Sequence, residues 1–184
     1  MSGLDRKEQI EAAALACFCE RGFAGTTVPQ IAEQAGVSVG LMYRYFSGKE
    51  ELVNHLYRLW KENFRLAVEP KVREETEYRQ QFGTFCRLVL NFAREKPQAF
   101  AFLEAHHHGP YLDEVSLERS RVGREGVLDF LRMGQHQGWL KDLPAELLLC
   151  VLWGSLKEGA SSVPALSPAH IEALETCCWQ AISL

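Results

Sequence analysis

Four neighbouring residues of this chain carry groups that bind anions. Tyr43 and Tyr45 offer phenol hydroxyls, Arg44 a guanidinium and Lys49 an ammonium group. All four can donate hydrogen bonds to phosphate oxygens. No second motif supplies an activated nucleophile, a phosphate-cradling loop or a cofactor fingerprint. The pattern therefore predicts binding and not catalysis, with no cofactor.

A second group that could do chemistry is the run His106, His107 and His108, with Glu104 shortly before it. Consecutive residues of an α-helix point about 100° apart, so three adjacent imidazoles cannot hold one metal ion from regular helix. We expect no metal site, with one histidine packed inward and two solvated. A metal sensor, or an enzyme that uses this cluster, stays an alternative.

The elements that position the first group are short helices. Thr27 is followed three residues later by Gln30, which is the spacing of a capping box, and Pro29 suits a first helical turn. These residues predict a helix over 28–35. Gly36 follows directly, where a left-handed residue would end that helix and turn the chain sharply.

A second helix and the start of a third follow at once. Ser38 can cap a helix over 39–46. Ser47 and Glu50 form another capping-box pair, which predicts that a third helix opens at residue 48 or 49.

The second helix should present an outer face to a partner. A helix of about eight residues is stable only when it packs on its neighbours, and Met42 and Phe46, four residues apart, suit the packed side. Its other side stays free and fits the major groove of DNA. The segment is a helix-turn-helix pattern, and a helical module that docks on protein is the alternative.

The same residues resemble the N-terminal DNA-binding domain of the TetR family of transcriptional repressors, over the stretch 4–53. The matching positions are Ile10, Ala14, Phe18, Arg21, Gly22, Phe23, Thr26, Thr27, Val28, Ile31, Ala32, Ala35, Gly36, Val37, Ser38, Gly40, Tyr43, Tyr45, Phe46, Lys49, Glu50, Glu51 and Leu52. The rest of the chain matches only in length and helical texture. The resemblance implies a repressor that a small-molecule inducer releases from a near-palindromic DNA operator. A metal-sensing or redox-sensing regulator is the alternative.

The resemblance also implies roles for single positions, which together form the expected DNA-binding set. The expected phosphate contacts are Thr27, Tyr43, Tyr45 and Lys49. The residues expected to face the floor or edge of the groove are Val39, Gly40, Leu41 and Arg44, beside the helix cap Ser38. Pro29 departs from the commoner polar or basic residue, which removes one possible contact.

Charge limits how this segment can bind DNA. Residues 1–50 contain five cations and six anions, a net charge of −1, whereas non-specific DNA affinity comes mainly from Lys and Arg. Binding must then depend on where the charges sit, on helix N-termini, and on two subunits acting together. A homodimer would place two recognition helices in successive major-groove turns of a near-palindrome.

Composition indicates a globular chain. Its 184 residues are 47% hydrophobic with a net charge of −4, enough for a small domain and a larger one. The N-terminus lacks the apolar core of a signal peptide, and the longest apolar run, 147–153, is too short for a bilayer. We expect a cytoplasmic protein with no membrane partner. Its six cysteines lack a CxxC pair and should be mostly free thiols. Cys86 and Cys150 are redox candidates that more simply pack as buried hydrophobes.

Helical patterns recur along the rest of the chain. We expect a long joining helix that ends before Pro70, an apolar stripe over 78–92, and another long helix over 113–137. No segment shows strand alternation. We therefore predict an all-α fold, in which a three-helix helix-turn-helix domain over 1–48 is joined by a long helix to a ligand-binding and dimerisation domain over 49–184.

The last two predicted helices carry the expected dimer contacts. A helix over 144–158 includes the run 147–153, which is apolar around its whole circumference and needs cover on both sides. A final helix opens at Ser167. With a second copy they would form a four-helix bundle, as the resemblance also implies; a core helix of a monomer is the alternative. The residues assigned to this interface are Leu148, Leu152, Trp153, Ile171, Leu174 and Cys178.

The resemblance also implies an inducer pocket, and aromatic residues are concentrated in the middle of the chain. Six of the ten phenylalanines lie between Phe64 and Phe102, which is enough to line an apolar cavity or simply to fill a core. Both interpretations stay open. The candidate ligand contacts are Trp60, Phe64, Phe82, Phe85, Phe92, Phe102, His107 and Tyr111.

Overall fold

The structure is a computed structural model that describes residues 6–162 and 166–184. Leu4, where the resemblance begins, lies outside these ranges. The described helices are α1 (Arg6–Gly25), α2 (Val28–Ala35), α3 (Val39–Tyr45), α4 (Lys49–Glu74), α5 (Tyr78–Glu95), α6 (Pro97–His106), α7 (Glu114–His136), α8 (Ala145–Ser162) and α9 (Pro168–Ile182). The described residues contain no β-strand, so the all-α prediction is confirmed.

The chain divides into two compact units. One lies within Met1–Glu62 and Pro97–Ser120, and the other within Asn63–Lys96 and Arg121–Leu184. Helices α4 and α7 contribute residues to both units. The predicted domain boundary at residue 48 stays a prediction.

The first unit is built around α1, which packs on α2 and α6. Ile10, Ala14 and Phe18 of α1 are buried at helical spacing, which gives α1 the continuous apolar side that packing requires. At Gly22 the backbone turns to φ 65° and ψ 178°, a conformation that favours glycine, and α1 kinks there. The hydroxyl of Thr26 donates to the carbonyl of Gly22 at 2.8 Å, which holds the kinked segment against its own helix.

Helix α4 does not end before Pro70, and that prediction is wrong. Pro70 lies inside α4, which runs to Glu74. Proline removes one hydrogen bond from a helix interior. Next to it, Glu69 pairs with Arg65 at 2.9 Å and with Arg73, and these exposed pairs recover a small part of the loss. Both are i, i+4 pairs, which stabilise a helix.

The second unit packs α5, α8 and α9 together. Its core takes apolar residues from each helix: Phe82, Cys86, Val89, Leu90, Leu148, Leu152, Leu156, Ile171, Cys178 and Ile182 are all buried. One charge lies among them, since Glu175 of α9 is 5% exposed. Arg79 of α5 pairs with it at 2.5 Å, which joins α5 and α9 because a buried carboxylate needs a cation beside it.

Candidate nucleic-acid interface

The turn between α2 and α3 forms as the sequence predicts. Thr27 is the N-cap of α2, and its backbone N–H donates to the Gln30 side chain at 2.9 Å. Gly36 adopts φ 66° and ψ 34°, the left-handed region that glycine tolerates best. The N–H of Val37 then donates to the carbonyl of Ala32 at 3.0 Å, which closes the end of α2.

Helix α3 begins at its predicted cap and ends one residue early. The Ser38 hydroxyl accepts a hydrogen bond from the N–H of Leu41 at 3.1 Å. Phe46 is the C-cap, and its N–H donates to the carbonyl of Met42 at 3.0 Å. Met42 is 1% and Phe46 4% exposed, so the two side chains predicted to anchor α3 are both in the core.

The opposite side of α3 is exposed. Tyr43 is 55% exposed, Val39 and Tyr45 each 38%, and Gly40 and Arg44 are exposed as well. A side chain added at Gly40 would meet nothing within 4 Å, so the backbone of the first turn can be approached closely. One short helix therefore exposes two phenols, a guanidinium and a glycine. Such a surface can enter a groove of DNA and bind the phosphates at its edges.

Helix α4, the third helix of the predicted pattern, is capped by a different carboxylate from the one predicted. The N–H of Ser47 donates to the Glu51 carboxylate at 2.6 Å, and not to Glu50. The capping carboxylate therefore comes from the residue four positions after Ser47, and not from the residue three positions after it. This hydrogen bond from the Ser47 backbone lowers the pKa of Glu51.

Lys49 braces the end of α1. Its ammonium group donates to the carbonyl of Phe23 at 2.9 Å and to that of Thr26 at 3.1 Å, and it lies 4.3 Å from the centroid of the Phe23 ring. Sequence reasoning missed this role, because nothing in the spacing shows that 23–26 would return to the start of α4. An ammonium group has three donors, so one is left for a phosphate.

The Phe23 ring also stacks on Tyr111, from the segment between α6 and α7. The two rings stack with centroids 3.8 Å apart, and the Tyr111 hydroxyl lies 2.5 Å from Nδ1 of His106. His106 is 2% exposed and packs against the rings of Phe18 and Phe102. Burial lowers the pKa of His106, so its neutral form is favoured.

One ring of the histidine run, that of His106, is packed inward as predicted, but only one of the other two is solvated. His107 is half-buried, with Nδ1 2.6 Å from the carbonyl oxygen of Glu104, whereas His108 is exposed. The described residues contain no group of three or more His, Cys, Asp or Glu side chains that could hold a metal ion.

A polar cluster joins α4 to the start of α7. Asn54 is 5% exposed; its amide nitrogen donates to the carbonyl of Tyr111 at 2.8 Å, and its oxygen accepts from the N–H of Asp113 at 2.9 Å. Arg58 donates to the Asp113 carboxylate at 2.7 Å and to the Ser116 hydroxyl at 3.1 Å. We call Asn54, Arg58, Asp113 and Ser116 the α4–α7 latch.

The latch also shifts the acidity of one of its members. Desolvation acts to raise the pKa of Asp113, but hydrogen bonds from Ser116 and Arg58 outweigh it and lower that pKa. The ionised carboxylate therefore caps α7 and holds Arg58 at neutral pH.

Two family models match this chain. The model described as "Bacterial regulatory proteins, tetR family" matches residues 10–56, and the model described as "Tetracyclin repressor-like, C-terminal domain" matches residues 60–184. The chain belongs to the TetR family of transcriptional regulators. It is a DNA-binding regulator, as the resemblance predicts.

Individual TetR-family relatives are similar over most of the chain. The "Fatty acid metabolism regulator protein" of Bacillus subtilis is 26% identical over 152 residues, which cover 82% of this chain and 71% of that protein. RutR of Escherichia coli O157:H7 is 29% identical over 172 residues, 86% of this chain and 76% of that protein. The structure of the ketosteroid transcriptional regulator KstR2 of Mycobacterium tuberculosis superposes with a TM-score of 0.82 at 19% identity, covering all of this chain and 97% of that one.

The TetR assignment leaves the inducer site to be located. Phe82 and Phe102 are fully buried, and Phe64 packs edge-on against Phe92 and Trp153, with centroids 5.1 and 6.3 Å apart. The candidate ligand residues stay predictions. Among them, Tyr111 borders an open cleft of about 750 Å³, whose lining is Arg21, Gly22, Phe23, Ala24, Glu50, Pro110, Tyr111 and Leu112.

The residues assigned to a dimer interface lie mostly inside the single chain. Leu148, Leu152, Ile171 and Cys178 are at most 5% exposed, and Trp153 and Leu174 are half-buried. The opposite side of α8 is also apolar but uncovered: Leu147 is 54% and Val151 44% exposed, with Cys150 exposed between them. The assigned contacts stay predictions, and this uncovered side supplies further candidates.

All six cysteines are free thiols, as predicted. Cys86 is buried, and burial raises the pKa of its thiol, whereas Cys150 is exposed and does not pack as a buried hydrophobe.

In the described residues no helix is long and apolar enough to cross a membrane.

Proposed function

We propose that this TetR-family regulator is a repressor that binds a near-palindromic operator as a homodimer and leaves it when a small molecule binds. The single observation that carries the proposal is the division of α3 into a buried and an exposed side. Met42 holds the helix in its own chain, while Tyr43 and Arg44 face outward. Two such helices, related by a two-fold axis, would read two half-sites.

The expected contacts follow from the exposed groups of α3 and the helix starts beside it. Tyr43 and Arg44 would bind phosphates and the groove edge, Val39 and Leu41 the methyl groups of thymine, and Gly40 would let the backbone approach. Thr27, Ser38 and Tyr45 complete the proposed contact set. Lys49 would contribute its third donor, with its other two holding 23–26 in place.

Release would pass through α4. The α4–α7 latch and the stack of Phe23 on Tyr111 fix the start of α4 and the end of α1 to the segment before α7. A ligand that moves this segment would therefore also move the start of α4 and the end of α1, which flank the helix-turn-helix. Turning 99% competent protein into 1% requires a ligand preference of about 5.5 kcal/mol for the incompetent state.

The proposal is tested by selecting duplexes from a random-sequence pool and measuring their affinity by fluorescence anisotropy. We expect enrichment of sequences with two-fold symmetry, bound by two chains, with affinity that falls steeply with salt. Arg44→Ala should weaken binding and reduce the salt slope by about two, about one for each of the two chains. Lys71→Ala is the matched control, since Lys71 is also an exposed cation but lies near the end of α4 and outside the proposed contact set. If no duplex is enriched at low salt, the proposal fails.

A further inference from the structure

Within the described residues, helix α3 is held in place by packing and not by hydrogen bonds to other helices. In this part of the chain, every hydrogen bond of residues 38–46 stays within that segment. Met42 and Phe46 anchor α3 in the core, and hydrophobic attraction is not directional. The orientation of α3 therefore depends on how firmly these two side chains are themselves held.

An imidazole packs on one of these anchors. The His55 ring of α4 lies 5.2 Å from the Phe46 ring, measured between centroids. Its Nε2 lies 2.7 Å from a carboxylate oxygen of Glu11 in α1. An ionised carboxylate can only accept, so Nε2 is the donor. This hydrogen bond fixes the plane of the imidazole, and the imidazole in turn limits the movement of the Phe46 ring.

The pair of His55 and Glu11 is partly shielded from water. The two side chains are 26% and 16% exposed, so water competes less for their hydrogen bond than it does at an open surface. Glu11 also lies 3.7 Å from the ammonium group of Lys7, one turn earlier in α1. Phe46 is the C-cap of α3. Helices α1, α3 and α4 are therefore connected through one side chain, that of His55.

We infer that His55 and Glu11 are positioning residues, which set the orientation of α3 for the operator without binding DNA themselves. Glu11 is an acid, and an acid repels phosphates. His55 donates its Nε2 proton to Glu11 and packs its ring on Phe46. The inference rests on the proposed function, because α3 is the helix proposed to read the operator.

Two variants each remove one partner of the pair. Glu11→Ala removes the acceptor, whereas His55→Phe keeps a ring beside Phe46 but loses the donor. We expect each variant to weaken binding of the selected duplex about tenfold in fluorescence anisotropy, which lies within the range for members of one hydrogen-bonded pair. The double variant should bind about as weakly as either single one, because the second change removes a contact that is already lost.

Glu8→Ala is the matched control. Glu8 is also an acid of α1, and it is exposed. Removal of an exposed acid lessens the repulsion of phosphates, so Glu8→Ala should leave operator binding unchanged or slightly tighter. Glu11→Ala should have the opposite sign, which distinguishes positioning from charge. Glu11→Gln keeps a weaker, neutral acceptor and should bind more tightly than Glu11→Ala.

The salt dependence distinguishes positioning from direct contact. Loss of a phosphate contact reduces the salt slope by about one per chain. Glu11→Ala and His55→Phe should instead weaken binding with an unchanged slope. Urea denaturation and circular dichroism verify that each variant is folded under the assay conditions, so that a loss of folded protein cannot account for weaker binding.

Three results would overturn the inference: Glu11→Ala binds as tightly as Glu8→Ala, the two single effects multiply in the double variant, or the salt slope falls by about two. If the unaltered chain selects no duplex, the proposed function fails. If it selects a duplex that Glu11→Ala and His55→Phe bind normally, this inference alone fails.

Discussion

Single side chains in this protein serve two purposes at once, and Lys49 shows this most clearly. The resemblance to TetR proteins assigns it to a phosphate, while the structure gives its ammonium group two backbone carbonyls and the face of Phe23. The two roles are compatible because the backbone carbonyls use two of the three N–H donors of the ammonium group. We therefore propose that Lys49 contributes to DNA binding both as a charge and as a support for the end of α1.

Replacing Lys49 by methionine separates these contributions. Loss of two hydrogen bonds to a charged group and of a cation–π contact should lower the free energy of unfolding by about 1–2 kcal/mol, because the site is only partly buried. Urea denaturation measures this value, and Lys96→Met, at an exposed position, is the control. Unchanged stability together with weaker operator binding would show that Lys49 is a DNA contact only.

At the scale of helices, the sequence predicts the helix-turn-helix of α2 and α3 well. It predicts poorly the contacts that hold α4 in place. The bounds of α2, the turn at Gly36 and the cap Ser38 all follow from local rules about capping and left-handed residues. The passage of α4 through Pro70 does not, since local rules place the end of a helix before a proline, whereas α4 continues to Glu74. The α4–α7 latch also escapes prediction, because Asn54 and Asp113 meet only after the chain has folded.

Two glycines of the helix-turn-helix should respond oppositely to the same change. Gly36→Ala forces a side chain into left-handed backbone at φ 66° and should cost about 1–2 kcal/mol of stability. Gly40→Ala lies in open space inside α3, where alanine should add up to about 1 kcal/mol. It should nevertheless weaken operator binding, because its methyl group enters the contact surface. Thermal unfolding and anisotropy measure the two effects, and a Gly40→Ala chain with full operator affinity would remove Gly40 from the contact set.

At the scale of the whole molecule, α8 is apolar around its circumference, and we propose that a second copy of the chain covers the side that its own chain leaves open. Leu148 and Leu152 bury one side of the helix in the second unit, and Leu147 and Val151 leave the other side facing water. Apolar surface of this kind is typical of a subunit interface. A sequence shows that both sides are apolar, but only the packed chain shows which side remains for a partner.

A charge on the uncovered side of α8 should separate the subunits. Leu147→Glu points into solvent in the single chain, so each subunit should stay folded while the dimer dissociates to monomers in sedimentation velocity. Leu66→Glu is the control, at an apolar position of α4 that is 53% exposed. A Leu147→Glu chain that sediments as an intact dimer would place the interface elsewhere.

The central claim is that α3 presents its exposed side to DNA, once from each of two chains. The most direct measurement is a titration of isotope-labelled protein with the selected duplex, followed by amide chemical shifts in NMR spectra. The account predicts that the largest changes fall on residues 38–45, with smaller ones at Thr27 and Lys49, and that they saturate at two chains per duplex. Unchanged resonances over 38–45 with changes elsewhere, or saturation at one chain per duplex, would contradict it.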